Sequence, residues 1–401
     1  MPTPIASTTT SALSADNTIH WTEADQPQSA HWRSERGAPA PKRVVLADDT
    51  LSADSAYRLA CEGTALLWRG DFHNARQLLQ AIARRIDKTP ARKQRKAPKE
   101  AAAPAEAFHL YRQAQAQRAR VLNMLLLPVN ADYSIPLRRA PNVHAACLAA
   151  WGPADLAAGP SVITLRELQG LTSTHEWRRK GLEIPALGEA PLNRIHPHYG
   201  VFSPVRGEYI DLVAKAPLPA PGIAFDIGTG TGVLAAVLVR RGVAQVVATD
   251  TDPRALACAR DNLALLGVAK QVQVVQTDLF PEGQATLIVC NPPWLPARPG
   301  SPIEHAVYDE DSRMLLGFLA GLKQHLAPGG EGWLVLSDFA EHLGLRTRAE
   351  LLAAFDTHGL KVLERLDAKP VHPKATDATA ALHAARAAEV TSLWRLAVAG
   401  I

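Results

Sequence analysis

From Ile223 onward the chain alternates short apolar runs with stretches of helical period. IAFDI at 223–227 and QVVAT at 245–249 read as strands, as do QVQVVQ, ATLIVC and GWLVLS further on. Helices are predicted over 232–241, over 253–266 with Pro253 at the favoured first position, and near 311–326. Strands covered on both faces should be apolar throughout, and these runs are. The alternation predicts an α/β fold with a doubly wound, mostly parallel sheet. The last two runs, LKVLERL and TSLWRLAV, have no clear crossover helix between them and predict a terminal antiparallel strand pair.

The first half is organised differently. Residues 1–54 are rich in Ser, Thr, Ala, Pro and Asp and are expected to form a mostly disordered tail, with an anchor conceivable near Trp21 or Trp32. Residues 55–195 are expected to form a mainly helical substrate-recognition domain. A helix through Tyr57, Leu59, Leu66 and Leu67 should end at Gly70. Asp71 then caps a second helix carrying Phe72, Ala75, Leu78, Leu79, Ile82 and Ile86, and a third should run from about Ala105 to Leu127. Between them lies a basic run over 84–100, with Arg84, Arg85, Lys88, Arg92, Lys93, Arg95, Lys96 and Lys99 against Asp87 and Glu100. It reads as a solvated linker or as a segment that tracks phosphates in RNA or DNA. Residues 128–195 mix short strands and turns and include the basic, aromatic HEWRRKG at 175–181. Residues 196–401 form the α/β domain.

Composition narrows the classes. Apolar residues are 47% and charged residues 20% of 401, enough for real cores. The balance of 43 Lys+Arg against 39 Asp+Glu neither demands nor excludes a nucleic acid. Cys61, Cys147, Cys258 and Cys290 have no metal-ligand spacing and cannot make a disulfide scaffold, so a cytoplasmic location is expected. No run of about 18 apolar residues predicts a membrane span, and the start has no basic segment leading into an apolar one.

The first α/β strand runs into Asp226-Ile227-Gly228-Thr229-Gly230-Thr231-Gly232. Glycines there allow a sharp turn and close approach of a ligand to the main chain. The spacing is G-x-G-x-G rather than the G-x-G-x-x-G of dinucleotide sites. Asp250 ends the second strand, where a carboxylate can accept both hydroxyl protons of a ribose. Asp278, expected at the end of the third, could accept from an adenine amino group. Asp226 is placed for an ammonium or for orienting the glycine turn.

The fourth strand leads into Asn291-Pro292-Pro293-Trp294. An amide or exocyclic aromatic amine is planar and its lone pair is delocalised. The Asn291 side-chain oxygen and the Pro292 carbonyl can accept its two N–H bonds, position the nitrogen and push charge onto it. The prolines, Pro293 included, stiffen the loop, and Trp294 offers a flat face for stacking. Cys290 reads as core.

Through D-I-G-T-G-T-G, A-T-D-T-D-P and Q-T-D-L-F, residues 196–401 resemble class I S-adenosylmethionine-dependent methyltransferases. The resemblance implies a Rossmann-like sheet and S-adenosyl-L-methionine as cofactor. Gly228, Gly230 and Gly232 would approach its methionine part, Asp250 its ribose and Asp278 its adenine, with Asp226 and Asn291 completing the pocket. The N-P-P-W tetrapeptide resembles the signature of enzymes that methylate planar nitrogens of bases or glutamines. Residues 200–209, Gly-Val-Phe-Ser-Pro-Val-Arg-Gly-Glu-Tyr, resemble both HemK-like protein-glutamine methyltransferases and small-domain ribosomal RNA guanine methyltransferases. Arg206 and Glu208 would border the pocket. Tyr308 is a further pocket candidate, with His196, His198, Asp309, Glu310 and Asp311 as weaker ones. No metal is proposed.

The expectation is therefore an enzyme that transfers a methyl group to a planar nitrogen of a macromolecule. An RNA base is the favoured acceptor and a protein glutamine the alternative. A non-catalytic S-adenosylmethionine- or RNA-binding protein is the competing reading.

Overall fold

The computed structural model describes residues 17–88, 103–219, 222–300, 302–370 and 382–400. They divide into two compact units, one of 17–88 with 116–170, the other of 103–115 with 171–400.

The first unit begins with an antiparallel hairpin, β1 (Thr18–Glu23) and β2 (Gln26–Arg33). Its two-residue turn places Ala24 and Asp25 at positive φ, as a hairpin of this twist requires. There follow β3 (Arg43–Ala47), α1 (Ala53–Cys61), β4 (Thr64–Trp68), α2 (Phe72–Lys88), α3 (Pro104–Leu122, of which 104–115 belong to the second unit), β5 (Leu125–Val129), α4 (His144–Trp151) and β6 (Ser161–Thr164). Six strands form one sheet in the order β1-β2-β6-β5-β4-β3, and β3, β4 and β5 are parallel.

Two expectations are corrected here. Residues 18–54 are not a disordered tail: the hairpin buries Ile19, Ala30 and Trp32 at its open end, away from the turn. Polar neighbours hid that burial in the sequence. The indole of Trp32 also donates to the carbonyl of Ala38 (2.8 Å). Residues 1–16 lie outside the described residues. Nor is this region mainly helical. The first expected helix stops at Cys61, and Leu66 and Leu67 belong to β4, whose five residues are all buried. Gly63, at φ +78°, breaks the chain between them. The helix expected to reach Leu127 likewise gives way to β5. A five-residue apolar run fits helix or buried strand equally, and only its neighbours decide. The helix capped by Asp71 is present. Arg84, Arg85 and Lys88 lie on it rather than in a linker, and 89–100 of the basic run lie outside the described residues.

The second unit continues with α5 (Leu165–Lys180), which carries HEWRRK, then a short pair β7 (Leu182–Glu183) and β8 (Arg194–Ile195). The α/β part follows as α6 (Glu208–Lys215), β9 (Ile223–Ile227), α7 (Val233–Arg240), β10 (Gln245–Asp250), α8 (Pro253–Leu265), β11 (Val272–Gln276) and β12 (Ala285–Cys290). It ends with α9 (Arg313–His325), β13 (Leu326–Ser337), α10 (Phe339–His342), α11 (Arg348–Thr357), β14 (Leu360–Ala368), α12 (His383–Ala388) and β15 (Thr391–Val398). The strand order is β11-β10-β9-β12-β13-β15-β14. The first five strands are parallel, and β15 pairs antiparallel with both neighbours, as the sequence pattern predicts.

The sheet is covered on both faces. Ala224, Leu287, Val289, Trp333 and Val335 face a core completed by α6, α7 and α8. The alternate residues Phe225, Ile227, Ile288, Cys290, Leu334 and Leu336 face one completed by Leu315, Phe318, Leu319 and Leu322 of α9 and Phe355 of α11. Strand order reverses between β9 and β12, which opens a crevice at their carboxyl ends. Among the described residues no helix is long and apolar enough to cross a membrane.

Candidate functional site

The turn after β9 places Gly228, Gly230 and Gly232 at φ +70°, +55° and +80°. Positive φ at every second residue is why glycine occupies all three. Asp226 sits beneath the turn, 1% exposed. One carboxylate oxygen accepts from the Thr229 hydroxyl (2.7 Å) and from the Ala235 amide (3.0 Å), tying the turn to α7. Of its two expected roles, orienting the turn is the one the contacts show. Burial pushes its carboxyl up to about 6. At the end of β10, Asp250 accepts from the Gly230 amide (3.0 Å) and the Asp252 amide (3.0 Å). Burial raises its pKa as well.

Cys290 pairs with Ile227 across the parallel β12 and β9, so Asn291 emerges beside the glycine turn. Both loops line one cavity of about 1150 Å³. Asp226, Gly228, Gly230, Asp250, Asp278, Asn291, Pro292, Pro293, Trp294, Arg206 and Tyr308 are on its walls. The Trp294 indole N–H donates to Asn291 Oδ1 (2.8 Å). The guanidinium of Arg206 lies over the Trp294 ring, 4.9 Å from its centre. Arg206 is in turn held by Glu208 (2.5 Å) and Glu389 (3.0 Å), and Glu389 accepts from the Ser337 hydroxyl (2.6 Å).

The loop after Trp294 forms another wall. Leu295 packs with Phe339, Ala340 and Leu343 and with Phe108 from α3. Arg112 of α3 donates to the Arg298 carbonyl (2.8 Å), pairs with Glu304 (3.4 Å) and lies over the Tyr308 ring at 4.0 Å. Asp309 lines the cavity, but its carboxylate accepts from the Met314 and Leu315 amides (3.0 and 3.1 Å) and anchors the start of α9. Burial raises its pKa. Glu310 and Asp311 also line the cavity.

Several candidates fall elsewhere. Gly232 is not on the cavity wall. A Cβ there would meet the Ala259 backbone at 3.3 Å, so this glycine serves the packing of α7 against α8. Glu208 is buried behind Arg206 and acts through it. His196 and His198 are not on the wall either; they meet the Arg178 carbonyl (2.6 Å) and Asp261 (2.9 Å). Asp278 lies two residues beyond the end of β11 and pairs with Arg313 at the exposed mouth (3.0 Å). Cys290 is fully buried, with its thiol pushed up by burial. The local sequence pattern did not reveal Glu389, Arg386, Arg313 or Phe202, all on the wall. Glu389 comes 183 residues after Arg206, and no local pattern links the two.

The residues fit S-adenosylmethionine. A Cβ at Gly230 would meet no atom within 4 Å, so bare backbone faces open space where an amino acid moiety can approach. The Asp250 carboxylate, half-buried at the next strand end, keeps lone pairs for a ribose diol.

Known proteins resemble the second half of the chain. Residues 194–360 match the family model described as methyltransferase small domain. A ribosomal protein L11 methyltransferase of Pelotomaculum thermopropionicum is 49% identical over 72 residues, 18% of this chain and 23% of that protein. A release factor glutamine methyltransferase of Cereibacter sphaeroides is 40% identical over 111 residues, 27% of this chain and 36% of that one. A ribosomal protein L11 methyltransferase of Chelativorans sp. is 30% identical over 185 residues, 46% of this chain and 56% of that one. The chain thus spans between about a quarter and about half of the length of these relatives. Among solved structures, a ribosomal protein L11 methylase from Lactobacillus delbrueckii subsp. bulgaricus covers 51% of this chain and 86% of its own, with TM-score 0.36 and 18% identity. Residues 194–360 are thus similar to methyltransferase small domains, and they lie on a Rossmann-like, mostly parallel sheet.

Proposed function

We propose that this protein transfers a methyl group from S-adenosylmethionine to a planar nitrogen of a macromolecule. The observation that carries the reading is the meeting of the glycine turn and Asn291-Pro292-Pro293-Trp294 on one cavity. The cofactor supplies an electrophilic methyl on a sulfonium that is already a good leaving group, so positioning does most of the catalytic work. Gly228 and Gly230 let the methionine part lie against the main chain, Asp250 holds the ribose, and Asp278 receives the adenine amino group. Asn291 Oδ1 and the Pro292 carbonyl accept the two N–H bonds of the acceptor and favour charge on its nitrogen as attack proceeds. Trp294 flanks the acceptor plane, and Tyr308 lines the same cavity. The proton leaves after attack, so no strong base is required.

The acceptor we favour is an exocyclic amine of an RNA base. It is supported by the flat indole at the end of the motif, the Val-Phe-Ser segment at 201–203 and the basic run at 84–100. A protein glutamine is the second reading, supported by the likeness to a release factor glutamine methyltransferase over 111 residues. Transfer of a labelled methyl into fractionated RNA, DNA and protein, followed by identification of the modified residue, tests both. Label in RNA that weakens with salt, and with neutralisation of 84–99, supports the first. A methylated glutamine peptide supports the second. No label in any fraction overturns the enzyme reading in favour of a binding protein.

A further inference from the structure

We infer that Trp294 is a positioning residue for Asn291, and that Arg206 with Glu208 and Glu389 forms the clamp that holds it in that role. The inference rests on the methyl-transfer reading above and specifies how this chain's site is set. An asparagine amide has an oxygen end and an NH₂ end of nearly equal size, and only the oxygen end can accept from an acceptor N–H. An indole N–H can only donate. Its 2.8 Å contact with Asn291 therefore selects the orientation in which Oδ1 faces the ring. That oxygen has two lone pairs; the indole takes one and leaves one for the incoming nitrogen. Rotating the amide by half a turn would set two donors against each other and lose the bond. A Phe or Tyr at this place would keep a flat face but has no ring N–H at this point.

The indole needs a fixed place of its own. Arg206 lies against its face, an arrangement favoured by the attraction between a cation and a π-system. Glu208 and Glu389, 5% and 4% exposed, grip that guanidinium from α6 and from the end of α12, and Ser337 fixes Glu389. Nη2 of Arg206 and Oε2 of Glu208 have no hydrogen-bond partner among the described residues although both are buried. Such a desolvated cluster is retained at a cost in stability, which suits a geometric function better than a stabilising one.

The test uses the full chain, labelled with ¹⁵N in its eight tryptophan indoles and saturated with S-adenosylhomocysteine. The Trp294 resonance is the one lost in Trp294→Phe. It should exchange slowly with solvent, and Asn291→Ala or Glu389→Ala should move it and speed its exchange. Turnover is read as tritiated methyl transferred from S-adenosylmethionine into whichever of total RNA or total protein the unaltered protein labels. Trp294→Phe should lower kcat about tenfold, the equivalent of one hydrogen bond, with cofactor affinity unchanged. In the Asn291→Asp background both ends of the side chain are oxygens, so the same change should cost less than about threefold. A Trp294 resonance indifferent to Asn291→Ala, or an equal loss in both backgrounds, overturns the inference. If the unaltered protein labels neither fraction, the methyl-transfer reading fails, and the resonance still decides the positioning role.

Discussion

Two aspartates at the carboxyl ends of parallel strands, each followed by a helix, behave in opposite ways. In the first unit Asp71 follows β4. In the second, Asp226 is the last residue but one of β9. Both side chains are buried. Asp71 meets two cations: Arg139 (2.6 Å) and Arg138 (3.0 Å) share one carboxylate oxygen, and the His73 amide takes the other (2.9 Å). The hydrogen bond from Arg139 is the main reason its pKa falls well below the usual carboxylate range. Among the described residues Asp226 meets no cation, only a hydroxyl and an amide, so burial dominates and its pKa rises. The turns differ to match. Gly70 before Asp71 is filled in by Asp49, which a Cβ would strike, and Asp49 accepts from the Asp71 amide. Gly230 opens onto the cavity. A strand end closed by side chains builds stability; one left as bare backbone builds a site.

Substitutions can break this contrast. The largest effect is expected from Asn291→Ala. Turnover should fall by about 100-fold or more, with affinity for S-adenosylhomocysteine, measured by calorimetry, within about twofold. Gly228→Val comes next. Its Cβ would collide with Met314 at a positive φ, so cofactor affinity should drop at least about tenfold in the same calorimetric measurement. Asp71→Ala should do the reverse. It removes the carboxylate oxygen that Arg138 and Arg139 share, leaving Arg138 only the longer contact with Asp49 (3.8 Å), and the melting temperature should fall by several degrees while cofactor affinity stays within about twofold. A large affinity loss in Asp71→Ala would abolish the distinction drawn between the two strand ends.

The smallest effect concerns pH. Asp226 holds its proton more tightly in the folded chain, up to about 6 against an ordinary aspartate near 3.8. Between those values the folded state binds more proton than the unfolded state, so this group's contribution to stability falls as pH rises from about 4 to about 6. Asp226→Asn should flatten the dependence of the urea midpoint over that window. An unchanged slope would mean that Asp226 ionises in the fold as readily as in water.

The site was legible where its parts are local. Gly228, Gly230, Asp250 and Asn291 through Trp294 announce themselves at strand ends, and all line the cavity. Misassignments came where a local signal served a non-local purpose. Gly232 belongs to the same repeat as its neighbours, yet its missing side chain accommodates α8. His196 and His198 look like pocket groups but turn to Arg178 and Asp261. In the first unit, Leu66 and Leu67 carry the helical period of their neighbours, but Gly63 and the adjoining strands make them β4.

The sequence alone determined the succession of the seven strands of the α/β domain with α7, α8 and α9, the glycine turn and the Asn-Pro-Pro-Trp loop. Each depends on periodicity, backbone freedom or adjacency within a few residues, and such properties survive without neighbours. Tertiary structure alone decided that α3 braces Tyr308 through Arg112, and that residues 18–33 form a hairpin. It alone brought Glu389 beside Arg206 and turned the indole of Trp294 onto Asn291. These depend on which surfaces bury one another, and burial joins residues that can lie nearly 200 positions apart in the chain.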